Sequence, residues 1–156
     1  MGTFEISAIG FVRGGRPDLR DDCWGNSEAR IELAPGVPDE SLLGLESFTH
    51  VEVLFVFDRD PADGHIEWSR HPRGDVRWPR VGIFTQRARR RPNRLGATIV
   101  RLAACESRAI TVVGLDAADG TPVVDLKPVF CEFLPREKVG QPPWVAELMA
   151  DYWKVG

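Results

Sequence analysis

The sequence predicts an all-β fold, mainly an antiparallel β-barrel, with short helical segments and a helix near the C-terminal end. Six or seven short runs of β-branched and aromatic residues are separated by glycine and proline turns, which is typical of closed antiparallel structures and not of repeating βαβ units. A longer stripe of apolar residues at helical spacing begins at residue 143. With 156 residues, the chain is long enough to bury one substantial core.

The first half of the chain contains three predicted strands. Rough alternation of apolar and polar residues indicates a strand over residues 4–12, and a shorter one covers residues 30–33. Residues 49–58 form the clearest strand, and because its second half is apolar on both faces, it should lie centrally in the sheet. Residues 38–45 should form one or two helical turns between the last two strands.

The second half supplies the other predicted strands, at residues 81–85, 96–102, 109–115 and 122–128. Residues 116–121 should form a tight turn in which Gly120 is available for a positive φ. The C-terminal stripe, residues 143–153, begins with a proline at a first-turn position; it could cover one end of the barrel or form part of a two-fold interface. We therefore expect a barrel domain over residues 1–138, with the helical segment 139–156 packed on the same domain.

The charge distribution is strongly uneven along the chain. Residues 70–101 contain ten arginines and one acidic residue, Asp75, although the net charge of the whole chain is −3. An acidic body with one basic face fits an anionic partner, and nucleic acid is the obvious class.

Five of these arginines crowd one loop after residue 85: Arg87, Arg89, Arg90, Arg91 and Arg94. Pro92 fixes its own φ and disfavours helical geometry at Arg91, so the loop should have a preferred shape. Guanidinium groups on such a loop suit capture of a phosphate or a carboxylate, because each presents a rigid fork of donors. A solvated charged loop without a ligand is the alternative.

Other candidate sites have less support. His50, His65 and His71 match no standard metal-site spacing, and the three cysteines form no CxxC pair, so we predict no metal site. Asp116 and Asp119 bracket a turn where carboxylates could bind ribose hydroxyls or a cationic ligand, but these residues alone favour a plain Asx turn, which Asp-Gly forms readily. The absence of GxGxxG, GxxxxGK[ST] and GxSxG motifs argues against the usual dinucleotide, triphosphate and serine-hydrolase sites.

The expected compartment is the cytoplasm. No apolar run approaches the roughly 20 residues that span a bilayer, and the N-terminal residues show no secretory signal. An odd number of widely spaced cysteines argues against a disulfide framework. We therefore expect neither a membrane nor an extracellular partner.

Two long motifs resemble those of a known family. The segment GIFTQRARRRPNRLG, followed by VVGLDAADGTPVVDLKP, resembles the TsaA-like domain, which is the β-barrel domain of the TrmO tRNA methyltransferases; IGFVR and LLGLESFTHVEVLFVF precede these motifs in the same order. The likeness spans about residues 4–136. It implies S-adenosylmethionine (SAM) as methyl donor, and a homodimer whose cofactor cleft lies near the subunit interface. In the best-known members, the acceptor is the N6 nitrogen of threonylcarbamoyl-adenosine at position 37 of tRNA.

The resemblance also implies cofactor contacts, at Asp22, Cys23, Trp24, Phe57, Asp58, Arg87, Arg91, Asn93, Leu95, Asp116, Asp119 and Thr121. We consider the remaining loop arginines as candidates for RNA binding: Arg89, Arg90 and Arg94. Carboxylates and aromatic faces suit a sulfonium cation, and arginines can bind the methionine carboxylate, an RNA phosphate or both. Methyl transfer needs mainly in-line alignment in a dry site, so no catalytic residue is assigned.

Three departures from the family pattern keep alternatives open. The usual RPNPIG loop has Arg94 in place of its second proline, and DIKPY has become DLKPV, with Val129 in place of the tyrosine. The chain also resembles a short form without the additional C-terminal domain of the longer bacterial enzymes. The leading prediction is methyl transfer to tRNA or another anionic acceptor, with no DNA partner expected. The alternatives are a non-catalytic SAM- or RNA-binding module and a methyltransferase with a small-molecule acceptor.

Overall fold

The computed structural model describes residues 2–18, 20–59 and 65–156, which form a closed β-barrel with a small ribbon and a short helix attached. The barrel strands are β1 (Gly10–Arg13), β2 (Glu28–Leu33), β3 (His50–Val56), β6 (Leu95–Cys105), β7 (Ala109–Val113) and β8 (Pro122–Pro128). The separate two-stranded ribbon consists of β4 (Ser69–Arg70) and β5 (Val81–Gly82). The helix α1 (Pro143–Leu148) follows the barrel.

Every neighbouring pair of barrel strands is antiparallel, in the order β1-β2-β7-β6-β3-β8, and β8 pairs with β1 to close the barrel. Closure matters because an open sheet would leave edge strands with unpaired backbone groups. The predicted all-β barrel class is therefore confirmed. Strand β3 lies between β6 and β8, but a closed barrel has no central strand, and burial along β3 alternates, so its apolar second half is not buried on both faces.

Inward-pointing side chains of successive strands fill the barrel. On β3, Val51, Val53 and Phe55 are buried, and the intervening residues are not, as the two-residue period of a strand requires. Phe55 pairs in register with Gly96 of β6, and its ring lies directly over the glycine. A Cβ added at Gly96 would lie 2.5 Å from two Phe55 ring atoms, so a side chain at this position would displace the buried ring.

The N-terminal strand is shorter than predicted. Strand β1 begins at Gly10, whereas the sequence predicted a strand from residue 4. The register of β1 begins at Gly10, opposite Leu33 and Val123, and Ile9 still forms backbone hydrogen bonds with Val123 and Ala34, whereas residues 4–8 form no strand. Phe4 and Ile6 are accordingly exposed, and alternation without a partner does not produce a strand.

The prediction of a buried strand over residues 81–85 is wrong. Only Val81 and Gly82 pair as a strand, with β4, and the next three residues form a 3-10 turn, Ile83–Thr85. Ile83 is buried and Phe84 is exposed, so the apolar run does not lie wholly inside the protein.

Helical structure occurs in both predicted segments, but its bounds differ from the predicted ones. Residues 38–45 do contain helical turns, Asp39–Leu42 and the start of Leu45–Ser47, both of the 3-10 type. The C-terminal helix ends at Leu148, not at Trp153. The backbone after it is held instead by hydrogen bonds to the loop around Cys23 and Trp24, which direct it away from a helical path.

Candidate functional site

An open cleft of about 150 Å³ lies where β3 and β6 meet the arginine loop, residues 86–94. Its lining consists of Phe55, Phe57, Arg87, Arg91, Leu95, Gly96, Ala97, Thr98 and Asp116. Five of the predicted cofactor contacts thus line one cleft: Phe57, Arg87, Arg91, Leu95 and Asp116.

The arginine loop takes its shape from Pro92 and the residues around it. Arg91 has extended backbone angles (φ −137°, ψ 160°), as expected before a proline. Asn93 and Arg94 then adopt left-handed conformations, with φ of 64° and 51°. The Phe57 N–H donates to the Arg94 carbonyl at 2.9 Å, which joins the loop to the end of β3. A proline at position 94 would require φ near −65°, so the Arg94 departure accompanies a different backbone conformation.

Two guanidinium groups are held over the cleft by backbone carbonyls. Arg87 donates to the carbonyl of Ala97, and Arg91 donates to that of Gln86 at 3.1 Å. The described part of the chain places no carboxylate within 4.0 Å of either guanidinium group. Each therefore keeps donors for an anionic ligand, because a guanidinium group carries five N–H bonds.

Asp116 faces the same cleft and is fixed by two hydroxyl groups. Thr98 Oγ1 donates to Oδ1 of Asp116, and the Tyr152 hydroxyl donates to Oδ2. Burial, and then the negative charge of Asp116, raise the pKa of Tyr152 well above its ordinary value. The hydroxyl therefore stays protonated at neutral pH and remains a donor to the carboxylate.

Tyr152 reaches the cleft because the C-terminal segment pairs with the loop that follows β1. The Cys23 N–H donates to the Asp151 carbonyl at 3.1 Å, and the Trp24 N–H donates to the Tyr152 carbonyl at 2.8 Å. At Gly25 the two backbones approach so closely that a Cβ would collide with the Trp153 carbonyl. Sequence reasoning missed Tyr152 as a site residue, because nothing local indicates that it contacts a residue 36 positions earlier.

Residues 20–133 match the sequence model of the family described as tRNA-methyltransferase O N-terminal domain. The chain belongs to this family. The resemblance drawn from its two long motifs is thereby confirmed.

Curated relatives of the chain come from mammals, bacteria and archaea. It is 39% identical over 127 residues to a mouse tRNA (adenine(37)-N6)-methyltransferase, covering 76% of this chain and 28% of that protein. The Escherichia coli protein of the same name is 34% identical over 152 residues, covering 86% and 62%. A probable S-adenosyl-L-methionine-binding protein of Archaeoglobus fulgidus is 39% identical over 98 residues, covering 63% and 25%. The chain thus spans about a quarter to three fifths of the length of these relatives.

Solved structures of TrmO have the same fold. A crystal structure of TrmO from Pseudomonas aeruginosa superposes with a TM-score of 0.71 at 27% identity, covering 91% of this chain and 66% of that one. A second TrmO structure gives a TM-score of 0.73 at 28% identity, covering 92% and 62%.

Several contacts expected of a TrmO-type chain lie outside the cleft. Asp22 receives two hydrogen bonds from Arg73, at 2.7 and 2.9 Å, and lines a second open cleft beside α1. Trp24 is buried beneath the guanidinium group of Arg16, 4.0 Å from its ring centroid. Cys23 lies between them with a positive φ of 65°. These residues brace the loop that receives the C-terminal segment.

The remaining predicted contacts separate into braced and exposed positions. Asp119 accepts a hydrogen bond from the Gly14 N–H at 2.9 Å, and Thr121 is buried with its carbonyl accepting from the Val12 N–H at 3.0 Å. Both therefore hold β1. Asp58 and Asn93 are exposed at the two ends of the contact between β3 and the arginine loop. Gly120 has the predicted positive φ, 82°.

Part of the positive charge predicted for RNA is paired with nearby carboxylates. Arg89 lies 4.0 Å from Asp21, whereas Arg90 is exposed and Arg94 is half-buried. Within the described ranges, no group of three or more His, Cys, Asp or Glu side chains is arranged to hold a metal ion. In the same ranges, no helix has the length and apolar character needed to cross a membrane.

Proposed function

We propose that this chain is a SAM-dependent methyltransferase that acts on tRNA, at the N6 nitrogen of adenosine 37, in its threonylcarbamoyl form. The main support is one cleft, in a member of this family, that combines the fixed carboxylate of Asp116, the guanidinium groups of Arg87 and Arg91, and the ring of Phe57. The names of the mouse and E. coli relatives state methyl transfer to N6 of adenine 37 in tRNA, and the name of the A. fulgidus relative states probable SAM binding. The threonylcarbamoyl form of the acceptor is proposed from the motif resemblance alone.

The donor set of the cleft fits the parts of SAM. Asp116 supplies a negative charge for the sulfonium centre or an acceptor for the ribose hydroxyls, and the Phe57 ring supplies an apolar face. Arg87 and Arg91 supply donors for the methionine carboxylate or for an RNA phosphate. When bound, SAM supplies an activated methyl group. The contribution of the chain is to orient the two reactants and to exclude water, which methyl transfer chiefly requires.

The size of the cleft supports a homodimer. A volume of about 150 Å³ is well below the ~300 Å³ at the lower end of small-molecule sites, so one chain encloses only part of SAM. We propose that a second copy closes the cleft. The exposed rings of Phe130 and Phe133, with the half-buried Phe48 stacked on Phe130, offer apolar surface for such an interface; the ring centroids are 5.6 and 6.0 Å apart. We also propose that the protein acts in the cytoplasm, because its proposed substrate is tRNA.

Calorimetric titration of the purified protein with SAM and with its demethylated product tests the cofactor assignment. We expect micromolar affinity for both, one ligand per subunit, and a clear loss in Asp116→Asn. The matched control is Asp119→Asn, because Asp119 belongs to the same turn but contacts Gly14 and not the cleft. Absence of binding in the unmodified protein would mean that family membership here reports the fold alone.

Methylation of bulk tRNA from a strain lacking this protein tests the reaction. Labelled methyl incorporation at adenosine 37 is the expected result. Binding of SAM without incorporation would favour the non-catalytic module, for which the Val129 departure is the motivating feature. Activity on a small acceptor that changes little with salt would favour the small-molecule alternative, since RNA binding through phosphates weakens steeply as salt rises.

A further inference from the structure

Two aromatic side chains lie next to each other on the outer surface of the β4–β5 ribbon. Trp68 is 57% exposed and Phe84 is 74% exposed, and their ring centroids are 6.5 Å apart with an interplanar angle of 68°. Single exposed apolar residues are ordinary on protein surfaces, but two large aromatic rings in contact form a patch of the kind that binds a partner.

The local structure holds this pair in place. The Ile83 N–H donates to the Trp68 carbonyl at 3.0 Å, which joins the residue before β4 to the residue after β5. Ile83 is buried, so the following residue, Phe84, projects outward at the start of the 3-10 turn. The hydrogen bond between Ile83 and Trp68 and the burial of the Ile83 side chain therefore hold the backbone that presents the two rings to solvent.

The ribbon next to the pair is joined to the cofactor cleft through Gln86, whose side chain bonds to the ribbon and whose backbone carbonyl bonds to Arg91. The Gln86 amide donates to the Arg70 carbonyl of β4 and to the Val81 carbonyl of β5, both at 3.2 Å. The Gln86 carbonyl in turn accepts from Arg91, which lines the cleft. Phe84 precedes the cleft residue Arg87 by three positions, a span of at most about 11 Å.

Basic side chains outnumber acidic ones in the segment that carries the pair, residues 67–91, and the acidic residue next to Trp68, Glu67, is paired with Arg70 at 3.6 Å. Arg80 extends along β4 to the Ser69 carbonyl at 3.4 Å, and in the described part of the chain it has no carboxylate within 4.0 Å. Arg87 and Arg91 carry similarly uncompensated charges at the cleft end of the ribbon. An excess of positive charge beside two aromatic rings favours a polyanion that carries aromatic groups as the partner. A protein surface with few acidic residues would fit it poorly.

We propose that Trp68 and Phe84 form a stacking platform for an unpaired nucleobase of RNA, next to the base that enters the cleft. The proposal rests on the proposed function for the identity of the entering base, but the binding of RNA by this surface is a separate property. Proteins commonly bind single strands by combining aromatic faces, which accept any base, with arginines that contact the phosphates.

Fluorescence anisotropy with a short labelled single-stranded RNA tests the platform on the full chain. The double variant Trp68→Ala, Phe84→Ala should bind at least about fivefold more weakly, because stacking on an aromatic side chain contributes that much per base. An oligomer of the same length without bases should bind the two proteins equally. The dependence on salt should be unchanged in the double variant and reduced in Arg80→Ala, since only the latter removes a phosphate contact.

The matched control is Phe4→Ala, which removes a ring that is more exposed than either member of the pair and lies far along the chain from the ribbon. Equal weakening by this control, or unchanged RNA affinity in the double variant, would overturn the proposal. Dissociation of an oligomer in the double variant, seen by sedimentation, would overturn it in favour of an interface between copies. Calorimetry with SAM on the same proteins separates the two hypotheses: RNA binding through the pair without SAM binding would refute the proposed function and leave the platform standing.

Discussion

The hydroxyl of Tyr152 is the contact by which the C-terminal segment reaches the proposed cofactor cleft, and Tyr152→Phe removes it alone. The phenylalanine ring keeps the edge-on contact with Trp153, whose centroid is 4.8 Å away. The backbone hydrogen bond from Trp24 to the carbonyl of residue 152 is also kept. The change therefore isolates one hydrogen bond to the Asp116 carboxylate.

The expected loss of stability follows from that bond. A hydrogen bond to a charged group contributes about 1.5–3 kcal/mol, and Tyr152 is only half-buried, so we expect the free energy of unfolding to fall by about 1–2 kcal/mol. For a domain of this size, such a loss lowers the Tm by about 2–8 °C. Denaturant titration of the two proteins measures it, with Trp153→Phe as the matched control because Trp153 is the neighbouring aromatic residue and the bond to Asp116 comes from Tyr152.

The pH dependence gives an independent test. Tyr152 is the only tyrosine of the chain, so absorbance in the near ultraviolet follows its ionisation alone. Its pKa is raised in the folded state, so its contribution to stability is fully present below pH about 10 and is lost as pH rises towards the folded value. Tyr152→Phe should lack this loss.

Two results would refute the reasoning. The first is phenolate formation near pH about 10 in a chain that is still folded, which is the behaviour of an exposed tyrosine. The second is a double-mutant cycle of Tyr152→Phe with Asp116→Asn whose coupling energy is near zero, since contacting residues usually couple by about 0.5–3 kcal/mol.

Three further predictions follow from the cleft and the barrel. Arg91→Ala should weaken SAM or RNA binding by about 10–100-fold with the fold intact, because it removes charge-assisted hydrogen bonds. Arg77→Ala is the control. Unchanged affinity for both ligands would show that Arg91 is not part of the site. Gly96→Ala should destabilise the barrel by about 1–3 kcal/mol, because the new Cβ meets the Phe55 ring. Gly140 has open space around it, so Gly140→Ala should change the unfolding midpoint little. Equal effects of the two changes would contradict this packing. Methylation of tRNA should fall steeply between low and physiological salt, and a flat dependence would exclude binding through phosphates.

Much of the barrel could be predicted because its signals are local. Short apolar, β-branched runs bounded by turn residues predicted β3, β7 and β8 with nearly correct bounds. Local signals were insufficient where pairing decides the outcome. Residues 4–8 alternate but do not pair as a strand, and Ile83 and Phe84 are apolar but lie in a 3-10 turn that ends the pairing with β4.

The candidate site divides in the same way. The sequence indicated the arginine loop, its turn at Pro92 and the carboxylates of the segment after β7. It did not separate Asp116, which faces the cleft, from Asp119, which holds the loop after β1. The two residues have similar local surroundings, and their roles differ only through partners from distant parts of the chain.

By itself, the sequence determined the family, the barrel class and the extended backbone at Arg91, because motif order, side-chain alternation and the proline ring act over a few residues. Only the tertiary structure decided that Tyr152 donates to Asp116, and that Trp68 and Phe84 form one exposed pair beside the cleft. Those contacts join residues 36 and 16 positions apart, so they exist only after the chain has closed into its barrel and the ribbon has paired.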